Sequence, residues 1–144
     1  MEDPYGNIWD FVYGINIWGN GKMNGGQPYI CKDYNFAESK NSDNYEAAGF
    51  TVTDKNGYIS AMGYSTDHDW LFIASETDGN SSLPVGDYTY VTPDLNAYRI
   101  ALWGGAWNHG AGAGGFYWTL ANGVGYRFRN VGGRLVYVPT AEAA

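Results

Sequence analysis

Residues 7–18, NIWDFVYGINIW, decide between a helical and a β reading of the whole chain. Ile8, Phe11, Val12 and Ile15 would share one face of a helix. Trp9, Phe11, Tyr13, Ile15 and Ile17 instead alternate, as a strand requires. Gly14 and the wealth of β-branched and aromatic residues favour the strand.

Outward from this strand, six further segments read the same way. They are QPYICKD (27–33), GFTVT (49–53), GYISAMGY (57–64), WLFIAS (70–75), YRIALWG (98–104) and RLVYVP (134–139). Turn dipeptides punctuate them: Asn20-Gly21, Asn24-Gly25, Asn56-Gly57, Asp78-Gly79 and Asn122-Gly123. Residues 69–105 read as a strand, a long loop and a return strand. The polar stretch 35–48 suits a loop or a short helix equally. No linker and no internal repeat interrupts the chain. The 144 residues form one mostly β domain with long loops.

Composition excludes several functions. Aromatic residues make up 17% of the chain and charged residues only 16%, the opposite of a disordered balance. The net charge of −7 argues against nucleic acid and against anionic lipid, both of which attract basic faces. No apolar run is long enough to cross a membrane. The opening MEDPYGNIWD lacks the regions of a signal peptide and suggests a domain cut from a longer chain. Cys31 is the single cysteine, so no internal disulfide can form, and its apolar flank reads as a buried position.

Catalytic constellations are missing from the sequence. His68 and His109 are its two histidines. No nucleophile elbow or phosphate loop occurs. His68 lies in STDHDW (65–70), which reads as a solvated loop. ETDGNSS (76–82) lacks the spacing of a calcium loop. Nothing in the sequence brings Asp69 and Asp87 together as a carboxylate pair. The expectation is a binding protein, not an enzyme, with no cofactor and no metal centre.

The C-terminal third carries a resemblance. ALWGGAWNHG (101–110), AGAGGFYWTLAN (111–122) and RNVGGRLVY (129–137) resemble the variable region of target proteins of diversity-generating retroelements. These belong with phage receptor-binding proteins of C-type-lectin fold. YGNIWDFVYGIN (5–16) is similar to the opening of that family, and to formylglycine-generating-enzyme-like domains of the same fold. GNSSLPVGDYTY (79–90) sits where phage tail-tip lectin domains carry such an insertion. The enzymatic branch needs a cysteine pair in the C-terminal half, which this chain lacks.

The resemblance implies an α+β, mostly β, single-domain C-type-lectin-like fold. It further implies a variable region over 101–138, rewritten by error-prone copying at template adenines. Asn codons randomised in this way never yield Trp, Met, Gln, Lys or Glu. Trp103, Trp107 and Trp118 are therefore expected as fixed scaffold beneath the surface. Gly104, Gly105, Gly132 and Gly133 join them in shaping the backbone.

Ala106, Asn108, His109, Gly112, Thr119, Ala121, Asn122, Tyr126 and Phe128 are reachable from Asn codons and are expected as solvent-facing ligand positions. Tyr117, Arg127 and Arg129 are also reachable, and Tyr117 joins the expected site. RNVGG reads as framework. The implied partner is a host cell-surface protein or glycan, met at the virion tail by a homo-oligomer, often a trimer in the family. Without diversification, the alternative is a carbohydrate-binding tail or bacterial cell-surface protein.

Overall fold

Residues 7–18 do enter a strand, β1 (Trp9–Gly19), in the computed structural model, which describes residues 6–19, 26–37, 43–92 and 96–133. The other strands are β2 (Gly26–Cys31), β3 (Tyr45–Ala47), β4 (Gly57–Tyr58), β5 (Ala61–Met62) and β6 (Ala74–Glu76). They continue with β7 (Tyr88–Val91), β8 (Tyr98–Trp103), β9 (Trp118–Leu120) and β10 (Val131–Gly132). One sheet runs in the order β3-β2-β1-β8-β9-β7-β4, with β10 also paired to β1. Strands β5 and β6 form a separate small ladder.

A bulge in β1 divides the molecule into two cores. Val12 pairs with Ala101 of β8, but the next pair is Asn16 with Ile100. Three residues, 13–15, thus have no partner on β8. Gly14 turns the chain there at φ +88°, and a Cβ on it would come within 2.9 Å of the Phe36 ring. An odd number of extra residues reverses which face each side chain takes. Before the bulge, Trp9 and Phe11 join a small core with Leu102, Ala106 and Tyr117. After it, Ile15 and Ile17 join the main core with Ile30, Ile73, Ala101, Trp118 and Leu120. The edge partner of β1 changes at the same place, from parallel β10 at Trp9 and Asp10 to antiparallel β2 from Ile15 onward.

The sequence expectations for 27–33 and 98–104 correspond to β2 and β8. Others needed correction. Residues 49–53 form no strand, because Val52 N–H donates to Gly26 O while Thr53 N–H donates to Ala74 O, which are different segments. Each of 57–64 and 70–75 is only partly strand, in β4, β5 and β6. The long loop expected within 69–105 contains β7. Within 35–48, residues 45–47 form β3, and 38–42 lie outside the described residues, as do Asn20-Gly21, Asn24-Gly25 and RLVYVP.

The described residues are mostly β and include no α-helix, so the helical part of the α+β expectation is not seen there. Among the described residues the single helical element is a 3-10 turn, Gly110–Gly112. Among the described residues no helix is long and apolar enough to cross a membrane.

Two local expectations also change. His68 is buried, not solvated, with Nε2 3.0 Å from Glu46 Oε1 but outside hydrogen-bond alignment. Cys31 is half-buried and lies among polar groups: Asn44 Nδ2 at 3.5 Å and Asp33 Oδ1 at 3.6 Å.

Candidate ligand-binding site

Strand alternation assembles an aromatic surface on the small-core side of the sheet. In β7, Thr89 and Val91 are buried, Val91 in the main core, so Tyr88 and Tyr90 project the other way. Parallel pairing sets Tyr90 beside Thr119 and Thr89 beside Trp118. Tyr117, Thr119 and Ala121 therefore share the face that Tyr88 and Tyr90 present. Tyr58 of β4 pairs with Tyr88, their rings edge to face at 5.2 Å. Trp9 adds its ring from β1, 4.7 Å from that of Tyr117 and also edge-on.

These residues line a cavity of about 390 Å³. That volume lies in the small-ligand range of roughly 300–1,000 Å³. His109 and Gly112 close one side, and Asn122, Tyr126 and Asn130 another. No Asp, Glu, Lys or Arg is among the lining residues. Burial, aided by the neighbouring Tyr88, Tyr90 and Tyr58, pushes the Tyr117 phenol up to about 12. It therefore stays neutral and can still donate a hydrogen bond.

The glycine-rich connection from β8 to β9 is held by side chains. Gly104 and Gly105 turn the chain at φ +94° and +80°. A Cβ on Gly105 would stand 2.9 Å from that of Ala113. Ala106 N–H donates to His109 Nδ1 at 2.9 Å, and the same nitrogen lies 3.2 Å from Ala106 O. The His109 ring packs against Trp9 at 5.2 Å and Tyr117 at 5.3 Å. Farther on, Trp103 Nε1–H donates to Gly115 O at 2.7 Å, and Phe116 N–H donates to Asp87 Oδ2 at 2.7 Å. The Asp87 carboxylate occupies the place a Gly114 side chain would take.

The structure brings together seven of the ten expected site residues: His109, Gly112, Tyr117, Thr119, Ala121, Asn122 and Tyr126 line the cavity. Phe128 stands outside the lining but stacks on Tyr126, rings 13° apart and 6.5 Å between centroids. Asn108 is exposed and away from the lining. Ala106 is not solvent-facing: it is 1% exposed, in the small core. Gly112, Tyr117 and Thr119 also differ from a solvent-facing expectation, since all three are buried and remain as cavity wall.

Among the scaffold positions, Trp118 is buried in the main core and donates from Nε1 to Phe72 O at 3.0 Å. Trp103 packs partly buried against the same core. Trp107 does not lie beneath the surface. It is 52% exposed, with the Arg129 guanidinium 5.9 Å from its ring centroid. Gly132 has Ile8 Cδ1 where a side chain would go, whereas Gly133 has open space around it.

Sequence reasoning missed Trp9, Tyr58, Tyr88, Tyr90 and Asn130 as cavity residues. The alternation Tyr88-Thr89-Tyr90-Val91 was an available signal for a strand with one aromatic face. Nothing local marked Asn130. It reaches the cavity because Trp9 N–H donates to its carbonyl at 2.8 Å, where β10 meets β1. No protein-family model and no curated protein matches the chain.

Proposed function

We propose that this chain is a receptor-binding domain of C-type-lectin-like fold from a phage tail, with the region 101–138 diversified by a retroelement. One observation supports it: seven of the ten expected ligand positions surround one cavity whose wall carries no Asp, Glu, Lys or Arg. All seven lie within residues 109–126, and a ligand held there would meet them on one common surface. The sheet supplies the rigidity that such a site needs. Side chains at 121 and 126 can vary while β9 stays paired to β7 and the turn at 115–116 stays pinned, whereas His109 itself holds Ala106 N–H. Host attachment then works through several copies, where linked sites raise apparent affinity without new contacts.

The test is the nucleotide neighbourhood of the gene. A near-copy of the segment encoding 101–138 is expected beside it, differing almost only at template adenines, with a reverse transcriptase nearby. A complete genome without such a copy removes the diversification and leaves an undiversified tail or surface binding domain.

A further inference from the structure

A second aromatic surface lies outside the cavity. Four rings follow one another along it: Phe11 to Tyr13 at 6.0 Å, Tyr13 to Phe36 at 6.0 Å and Phe36 to Tyr34 at 6.5 Å between centroids. Phe11 is half-buried, whereas Tyr13, Phe36 and Tyr34 are 54%, 49% and 67% exposed. None of the four lines the cavity, and none falls within 101–138. Contiguous exposed apolar surface marks a contact site, which single scattered side chains do not.

The strip is held in place. Gly14, in the β1 bulge, has no Cβ to keep the Phe36 ring away. The backbone next to that ring is anchored to the sheet: fully buried Asn16 donates from Nδ2 to Ala37 O at 2.9 Å, and Ala37 N–H donates to Tyr45 Oη at 3.1 Å. Tyr34 has a left-handed φ of +62°, a conformation that costs an aromatic residue free energy. Asp33 Oδ1 fixes this turn by accepting Asn35 N–H at 3.1 Å and a further hydrogen bond from Asn44 Nδ2. Such order adds little to folding, because three of the rings stay largely in water. It favours binding, because the rings lose little freedom when a ligand arrives.

Polar chemistry narrows the ligand. The Tyr13 and Tyr34 hydroxyls make no hydrogen bond to another described residue, so each can donate to a carbonyl brought to it. The Asn44 amide, and after it the Asn35 N–H, hold the exposed Asp33 carboxyl below the usual carboxylate range. Asp33 is therefore charged at neutral pH, next to Tyr34, in a chain of net charge −7.

We propose that the strip binds a proline-rich segment of a partner protein, in polyproline II form, with an Arg or Lys at the end that meets Asp33. Such a segment brings apolar ring faces to Tyr13, Phe36 and Tyr34. Its carbonyls are free to accept from the two hydroxyls, since this helix has no internal hydrogen bonds. Its basic residue pairs with Asp33. A second copy of this chain fits less well, because it brings a further charge of −7 and a second Asp33. The inference is independent of the receptor-binding proposal, since the strip and the cavity share no residue.

The experiment titrates the full, isotope-labelled chain with a synthetic decapeptide of prolines flanked by arginines, followed by NMR. Two control peptides replace the arginines by glutamates, or alternate prolines by glycines. Shifts are expected at 11–14 and 32–37 and not around the cavity. Tyr13→Ala and Tyr34→Ala are each expected to weaken binding about tenfold, the scale of one ring contact. Asp33→Asn, which keeps an acceptor for Asn35 N–H, is expected to weaken it about threefold, the scale of an exposed ion pair. Lys32→Gln removes the cation next to Asp33 in sequence and is expected to bind no more weakly than the parent chain. Tyr90→Ala, in the cavity wall, is expected to bind as the parent does.

No shift with the arginine peptide overturns the inference, as does equal binding of either control peptide. Binding unchanged in both Tyr13→Ala and Tyr34→Ala overturns it too. Shifts at the same residues that grow with protein concentration before any peptide is added assign the strip to a second copy, and equally overturn it. Each of these results leaves the nucleotide test of the receptor-binding proposal untouched, because the strip lies outside 101–138.

Discussion

Asp87 and Gly114 offer a thermodynamic cycle whose outcome the structure fixes in advance. The three atoms nearest to a Cβ placed on Gly114 all belong to the Asp87 carboxylate. That carboxylate also accepts Phe116 N–H at 2.7 Å. In Gly114→Ala the new methyl displaces the carboxylate, and the hydrogen bond is lost. In Asp87→Ala the same bond is lost directly. A hydrogen bond to a charged acceptor contributes about 1.5–3 kcal/mol, and the exposure of this turn places it near the lower end, about 1.5.

Each single variant should therefore lose about 1.5 kcal/mol, and the double variant about 1.5 rather than the 3 of simple addition. Urea unfolding at neutral pH, with m-values compared among the four proteins, measures this directly. A double variant that loses the sum of the single losses, to within about 0.5 kcal/mol, refutes the reasoning. It would mean that the methyl and the carboxylate do not compete for one place. The cycle also bears on the site, because Asp87 lies outside 101–138 yet pins the turn that leads into β9.

Further outcomes follow from the same contacts. Leu102 is fully buried in the small core, so Leu102→Ala should cost about 2–5 kcal/mol. Tyr126→Ala and Phe128→Ala, at exposed stacked rings, should each cost about 1 kcal/mol or less by the same urea unfolding. Equal losses would remove the distinction between scaffold and replaceable positions. Trp103→Phe keeps the ring packing but loses the bond to Gly115 O, and should lower stability by about 1 kcal/mol; an unchanged melting temperature would show that the indole N–H does not pin the turn.

For Tyr117 the sign follows from its raised pKa. Between 10.0 and about 12 the folded chain keeps a phenolic proton that the unfolded chain has released. This contribution is whole below pH 10 and is lost as pH rises toward 12, by roughly 2 kcal/mol. Tyr117→Phe should flatten that part of the stability profile, and parallel profiles for the two proteins would contradict it.

The β character was legible because it depends on local pattern. The alternation in 7–18 and 98–104 needed no partner to be recognised. The face assignment was not legible. Trp9, Phe11, Ile15 and Ile17 occupy odd positions and suggest one buried face, yet the three-residue bulge sends them to opposite cores. Short strands escaped for a related reason. Residues 118–120 and 131–132 are held by neighbours remote in sequence, and so few residues carry little period of their own.

The sequence by itself determined which residues the chain can place: many uncharged aromatics, few charges, and a glycine-rich segment in which no Lys, Glu, Met or Gln follows residue 105 up to 133. It also determined which C-terminal positions an Asn-codon rule can reach. Only the tertiary structure decided that Ala106 belongs to the core, that Trp107 lies outside it, and that Tyr58, Tyr88, Tyr90 and Asn130 share a cavity with seven of the reachable positions. The physical reason is that composition and codon reach are properties of single residues. A cavity wall is a property of register, and register here is set by parallel pairing of β7 with β9 and by an odd-numbered bulge in β1.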